Sequence, residues 1–269
     1  MRVIKAFQVL PEGRMKDRLR CLFYNRRMRR YGLSIKRGAD GFDVQYRHAR
    51  VTYDSNPYYK GLATVAGYFE KGGLRAGDTV IDAGACEGAF TLLAARMVGE
   101  RGRVIAFEPD PENAARLAAN LARNDLRNVS IVQKGLWRDE RELRFHEALG
   151  MWSKVADDDE EAPNAADATG LSGVPVTDLD GELRRLDIGS VDFIKADIEG
   201  AELAFVEGAQ ATLTQRHPRL AIASYHIVDG AETWPRLEAM LRDAGYRVET
   251  GFPEHTTTYA WFEGEASAT

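Results

Sequence analysis

Two stretches decide the reading of this 269-residue chain: Thr79-Val-Ile-Asp-Ala-Gly-Ala-Cys-Glu-Gly-Ala-Phe-Thr91, and then Arg103-Val-Ile-Ala-Phe-Glu-Pro-Asp110. Two β-branched apolar runs, Thr79 to Ile81 and Val104 to Phe107, flank an Ala/Leu/Met-rich segment from Gly88 to Val98. That spacing predicts strand, helix, strand, the opening unit of a parallel sheet. The first strand runs out in Asp82-Ala-Gly84-Ala85-Cys86-Glu87-Gly88, where glycine lets the backbone turn sharply and approach a ligand at the carboxyl edge. The second ends at Glu108, placed to accept hydrogen bonds from both hydroxyls of a ribose. An adenosine-containing cofactor is expected.

The dinucleotide fingerprint G-x-G-x-x-G requires glycine where Cys86 stands and again at Ala89, so a pyrophosphate is poorly served. What remains, Asp-x-Gly-x-x-x-Gly followed some twenty residues later by Phe-Glu-Pro, resembles the S-adenosylmethionine loop of class I methyltransferases. That cofactor carries no phosphate, and Asp82 is the expected partner of its ammonium. The expected cofactor contacts are Asp82, Gly84, Ala85, Glu87, Gly88, Phe90, Thr91, Glu108 and Pro109.

The chain has length enough for a substantial core and no run of 18 apolar residues. Its start lacks a signal-peptide pattern, so a cytoplasmic protein is expected, with peripheral contact at the inner membrane face as a further option. Cys21 and Cys86 are too few for a disulfide framework and lack metal-site spacing. The net charge of −5 is unevenly spread: residues 1–50 hold 14 Lys/Arg against 4 Asp/Glu. This divides a basic N-terminal extension and cap, residues 1–70, from an acidic cofactor-binding domain, residues 71–269.

Within the extension, Met15, Leu19, Leu22 and Phe23 fall at helical spacing among six arginines between Arg18 and Arg30. An amphipathic basic helix follows, packed on the core or lying on an anionic membrane surface. Nucleic acid is not an expected partner, because no aromatic-interleaved basic motif accompanies the charge. Tyr58 and Tyr59 are candidate acceptor contacts at the start of a helix running to Gly72.

Further on, Pro111 to Asn124 is a helix and Val129 to Gln133 a strand. The segment Gly135-Leu136-Trp137 after it is expected beside an adenine. The acidic stretch from Ala156 to Gly170 has neither periodicity nor β-branching, and reads as a solvated loop or lid. Val191 to Asp197 is the fourth core strand, and Ile198-Glu199-Gly200-Ala201-Glu202 opens a helix, which crowds Asp197, Glu199 and Glu202 at the sheet's carboxyl edge. Lys195 and Asp197 form a charged pair inside an apolar strand, which needs a partner or a purpose. Leu220 to His226 is the fifth strand, with His226 at its end. Two final strands joined by a short loop predict an antiparallel hairpin at one sheet edge.

With Ile81 to Thr91, Phe107-Glu-Pro109, Ile194-Lys-Ala-Asp-Ile-Glu-Gly-Ala-Glu202 and Ala223-Ser-Tyr-His226 in view, the chain resembles the FkbM family of S-adenosylmethionine-dependent methyltransferases over about residues 75–262. The resemblance implies an α/β class I methyltransferase sheet, mostly parallel with a C-terminal antiparallel hairpin. It also implies methyl transfer, mostly to hydroxyls of sugars, polyketides or related metabolites, with some carboxylate acceptors. On that reading S-adenosyl-L-methionine is the cofactor and a small molecule or glycan the acceptor. His226 is the expected general base, because an unperturbed imidazole titrates near neutrality. Lys195 and Asp197 orient it or hold the acceptor, and Glu199 and Glu202 contact the acceptor. Asp197, Glu199 and His226 are oxygen and nitrogen groups that could assemble around a divalent ion, but no short ligand motif demands a metal, and none is expected. Two other readings stand beside this one: an NAD-linked oxidoreductase, and a non-catalytic cofactor-binding or membrane-surface adaptor.

Overall fold

The computed structural model describes residues 13–56, 62–71, 73–148, 151–156, 171–252 and 255–263. Tyr58, Tyr59 and the acidic stretch beyond Ala156 lie outside the described residues. At the centre is a seven-stranded sheet built from β4 (Thr79–Ala83), β5 (Arg103–Phe107), β6 (Val129–Val132), β11 (Phe193–Ala196), β12 (Arg219–Ala223), β15 (Arg247–Gly251) and β16 (Thr257–Trp261). Its order is β15-β16-β12-β11-β4-β5-β6. Every neighbouring pair from β12 to β6 is parallel, and β16 runs antiparallel between β12 and β15. The predicted class I sheet and its terminal hairpin are both present. All residues of β4, β11 and β12 are buried, as expected of parallel strands covered on both faces.

The covering helices include α3 (Thr91–Val98), α4 (Pro111–Arg123), α5 (Leu179–Arg185), α6 (Glu202–Glu207), α7 (Gln210–Arg216) and α8 (Trp234–Asp243). The start of α4 follows from local chemistry. Asp110 caps it by accepting the Asn113 N–H at 2.8 Å, and Pro111 occupies the first turn, where a missing N–H costs nothing. A smaller sheet, ordered β7-β10-β8-β9, joins β7 (Gly135–Leu136), β8 (Arg141–Ala148), β9 (Met151–Ala156) and β10 (Leu171–Thr177) beside the carboxyl edge.

The N-terminal segment forms α1 (Arg14–Met28) and an antiparallel meander of β1 (Leu33–Arg37), β2 (Phe42–Tyr46) and β3 (Ala49–Tyr53), followed by α2 (Leu62–Tyr68). The meander lies against α3 and α4, and its buried side chains share one core with Leu92, Leu93 and Leu117. The Asn124 side chain accepts the Thr52 N–H and donates to the Thr52 carbonyl, each at 2.7 Å, and the Tyr53 hydroxyl donates to the Ala89 carbonyl at 2.9 Å.

Helix α1 is turned differently from the sequence expectation. Cys21, Tyr24 and Met28 are its buried apolar residues, whereas Met15 (67 % exposed), Leu19 (41 %) and Leu22 (69 %) face outward with Arg18 and Arg26. Of the expected stripe Phe23 packs partly against the core while Met15, Leu19 and Leu22 do not, because both apolar sets recur at three- and four-residue intervals and the docking partner chooses between them.

Candidate active site

The loop after β4 is shaped by left-handed backbone at Gly84 (φ 76°), Cys86 (φ 50°) and Gly88 (φ 95°). Gly84 is obligatory: a Cβ there would stand 2.0 Å from the Asp197 carbonyl oxygen, so the loop and the end of β11 approach as only glycine permits. Gly84 and Ala85 both donate their N–H groups to the Phe107 carbonyl at 3.0 Å. Cys86 donates its N–H to Glu108 Oε2 at 2.6 Å, and Asp110 donates to Oε1 at 3.0 Å. Burial pushes the Glu108 carboxyl above the usual range, against the pull of those two N–H groups.

Beside Glu108 runs a crevice lined by Gly84, Pro109, Gly135, Leu136 and Trp137, with Leu143, Val174 and Val176 of the small sheet as its far wall. It extends along the carboxyl edge to Asp197 and Glu199. A wider cleft at the amino end of the sheet, lined by Gly77, Arg96, Arg103 and Arg127, includes none of these groups.

Several residues expected at the cofactor serve the scaffold instead. Asp82 is fully buried, accepts from the Thr91 hydroxyl and pairs with Lys195 Nζ at 2.9 Å. Lys195 also donates to the carbonyls of Ala83 (3.1 Å) and Gly84 (2.7 Å), so its ammonium locks the loop from beneath. Burial acts to depress the Lys195 pKa, but the charges of Asp82 and Asp197 outweigh it and hold the group above its ordinary value. Glu87 turns away to Arg116 at 2.6 Å, and Phe90 stacks on Phe69 and Phe193 in the core. Ala85 is buried, and a Cβ on Gly88 would meet Leu92 and Leu117.

At the acceptor end the predicted helix at Ile198 starts later. Residues 198–201 form a tight turn, with Glu199 at φ 55° and Gly200 at φ 103°, and α6 begins at Glu202. Glu202 is completely buried. Its Oε1 accepts the N–H groups of Ile198 and Gly200 at 3.3 Å, which holds the turn and removes Glu202 from contact with any substrate. His226 lies three residues past β12, with Nδ1 2.8 Å from Glu202 Oε1 and Nε2 3.4 Å from Glu199 Oε2 and 3.6 Å from Asp197 Oδ1. Burial lowers the His226 pKa, but Glu199, Glu202 and Asp197 together raise it to about 10. The near-neutral imidazole expected from the sequence is therefore a cation at pH 7 in the ligand-free site.

Asp197 is held on both sides. Tyr68 donates its hydroxyl to Oδ2 at 2.8 Å and Tyr225 donates to Oδ1 at 3.3 Å. Burial, then the Asp197 charge, raise both phenols well above their usual pKa, so they remain donors. His255 stands beside the two tyrosine rings, and burial pushes its pKa down.

Comparison with known proteins places this arrangement. The family model described as "Methyltransferase FkbM domain" matches residues 82–248, more than half of the chain. The chain belongs to the FkbM methyltransferase family. It is 29 % identical over 202 residues to Methyltransferase sdnD of Sordaria araneosa, covering 63 % of this chain and 73 % of that one. It is 26 % identical over 168 residues to the tRNA (adenine(57)-N(1)/adenine(58)-N(1))-methyltransferase TrmI of Methanocaldococcus jannaschii, covering 62 % and 52 %. Among solved structures, Methyltransferase FkbM from Methylobacillus flagellatus KT aligns with TM-score 0.48 and 22 % identity, over 70 % of this chain and 44 % of that one. The chain thus spans about half the length of TrmI and less than half of the solved FkbM structure.

S-adenosyl-L-methionine is the cofactor of this FkbM methyltransferase, and the residues present fit it. Glu108 is a buried carboxylate with one N–H on each oxygen, which leaves lone pairs for two ribose hydroxyls. The crevice beside it has apolar walls for a base and, among the described residues, no arginine or lysine lining it of the kind a phosphate would require. Sequence reasoning overlooked Tyr68 and His255 in this FkbM site, and took Tyr225 only for a possible local partner of His226. Tyr225 was within reach, because it adjoins His226 in the quoted motif; Tyr68 lies 129 residues from its partner, with no local signal.

Proposed function

We propose that the protein is an O-methyltransferase acting on a hydroxyl of a small molecule or glycan. The supporting observation is the continuity of one crevice from Glu108 to Asp197 and Glu199, with His226 beside that end and outside the cofactor end. Bound at the Glu108 end, S-adenosylmethionine supplies an electrophilic methyl group on sulfur. The chain's own task is to hold an acceptor oxygen within about 3 to 3.5 Å of that carbon and to take its proton. Asp197 and Glu199 are the carboxylates facing the crevice, and His226 sets their charge balance. Three carboxylates gathered at this end repel a phosphate backbone, which favours a small acceptor over a nucleic acid.

The test is incubation with methyl-labelled cofactor and cell extract fractionated into glycan, small-metabolite, lipid and RNA pools. Label in an alkali-stable ether of the glycan or metabolite pool is expected. Label confined to RNA overturns the reading, and cofactor binding without transfer to any pool leaves an adaptor.

We further propose peripheral contact between α1 and an anionic bilayer, supported by the exposed stripe of Met15, Leu19 and Leu22 bordered by arginines. Among the described residues no helix is long and apolar enough to cross a membrane. Vesicles rich in phosphatidylglycerol should co-sediment the protein, and the paired Leu19→Ser and Leu22→Ser change should weaken this by about tenfold or more, given roughly 1.5 to 3 kcal/mol per fully buried leucine. Equal recovery with purely zwitterionic vesicles would count against it.

A further inference from the structure

His226 is more elaborately placed than acceptor binding requires. Its side chain is only 9 % exposed, yet neither ring nitrogen has a properly aligned hydrogen-bond partner among the described residues, Nδ1 lying close to Glu202 but off the line of a bond. For Nε2 the separations explain why. At 3.4 Å from Glu199 and 3.6 Å from Asp197, Nε2 stands too far from both for a good hydrogen bond, which spans about 2.7 to 3.2 Å. Two donors on one divalent ion, each about 2.1 Å from it, stand roughly 3.0 Å apart at a right angle and about 4.2 Å apart when opposed, a span that brackets both separations. One ligand atom from each of Asp197, Glu199 and His226 lies within 4.8 Å of the others.

The surroundings are those of a ligand set. On the far side of the imidazole, fully buried Glu202 sits 2.8 Å from Nδ1, the position from which a carboxylate fixes a metal-binding histidine so that Nε2 faces the ion. Asp197 is oriented by the hydroxyls of Tyr68 and Tyr225, whose donated protons leave lone pairs on its carboxylate. Glu199 is carried back toward the imidazole by its left-handed turn. The sequence offered no short ligand motif because the three donors come from two separate strand ends.

We propose that Asp197, Glu199 and His226 bind a divalent cation at the acceptor end of the crevice. Two carboxylate oxygens and one imidazole nitrogen suit a first-row ion such as Mn²⁺, with its remaining positions open to water or to oxygens of the acceptor. The second part, contact with the acceptor, rests on the hydroxyl-methylation reading; the ion site does not.

The test uses the full chain, stripped with chelator and titrated with Mn²⁺ alone, with no cofactor or acceptor present. Electron paramagnetic resonance should show one tightly bound ion per chain, with nitrogen hyperfine coupling from an imidazole. Glu199→Gln, at a side chain 51 % exposed and therefore safe for folding, should weaken binding by about tenfold or more, and His226→Gln should remove the nitrogen coupling. Absence of stoichiometric binding, or binding that Glu199→Gln leaves unchanged, overturns the site; if His226→Gln does not fold, Glu199→Gln alone decides. Methyl transfer is assayed separately. Binding without chelator-sensitive transfer would keep the site and remove its role at the acceptor.

Discussion

Replacing Lys195 by alanine is expected to destabilise the fold by about 3 to 5 kcal/mol, the cost of stranding one partner of a buried ion pair. Asp82 has no exposed surface, and without the ammonium the Thr91 hydroxyl is the one donor left on its carboxylate among the described residues. The Ala83 and Gly84 carbonyls lose a donor in the same substitution. Urea denaturation measures the effect. Pairing Lys195→Met with Asp82→Leu should recover much of the loss, since an apolar pair leaves no buried charge. A catalytic lysine behaves otherwise: turnover collapses while the denaturation midpoint stays in place, and that result would return Lys195 to the chemistry.

Glu108→Ala should weaken S-adenosylmethionine binding by about 10²-fold or more. Two hydrogen bonds from ribose hydroxyls to a charged carboxylate contribute roughly 1.5 to 3 kcal/mol each. The structure adds a second cause, since Glu108 also holds the N–H of Cys86, a residue kept at positive φ in the loop. Glu108→Gln should fall between, because an amide oxygen accepts one bond while its nitrogen repels the neighbouring N–H. Calorimetric titration with the cofactor reads both variants, and an unchanged dissociation constant for Glu108→Ala places the ribose elsewhere.

Much of this was legible in the residues. The parallel core announced itself through fully apolar strands, the glycine loop through its spacing, and the convergence of Asp197, Glu199 and His226 through the rule that open α/β sheets present ligand groups at their carboxyl edge. What escaped was set by contacts distant in sequence. Ile198 to Glu202 read as a first helical turn because acidic residues suit the helix N-terminus; in the structure Glu202 bends back onto the N–H groups of Ile198 and Gly200 and forces a turn instead. Asp82 read as the partner of the cofactor's ammonium and Lys195 as a charge in an apolar strand in need of a partner or a purpose, and the register of β4 with β11, which sets the two residues side by side, shows that they satisfy one another. The small sheet that walls the cofactor crevice joins segments flanking an acidic stretch, a pairing no local pattern encodes.

The docking of the meander onto α3 and α4 bears on how the chain is made. Asn124 stands in for a neighbouring strand by supplying Thr52 with both an acceptor and a donor. Val44, Val51 and Tyr53 share one buried cluster with Leu92, Leu93 and Leu117, which are made later. On a ribosome adding about 5 to 20 residues per second, the first hairpins therefore wait roughly 4 to 15 s with an apolar face open. Synonymous codons that slow translation between residues 54 and 124 should lengthen that exposure.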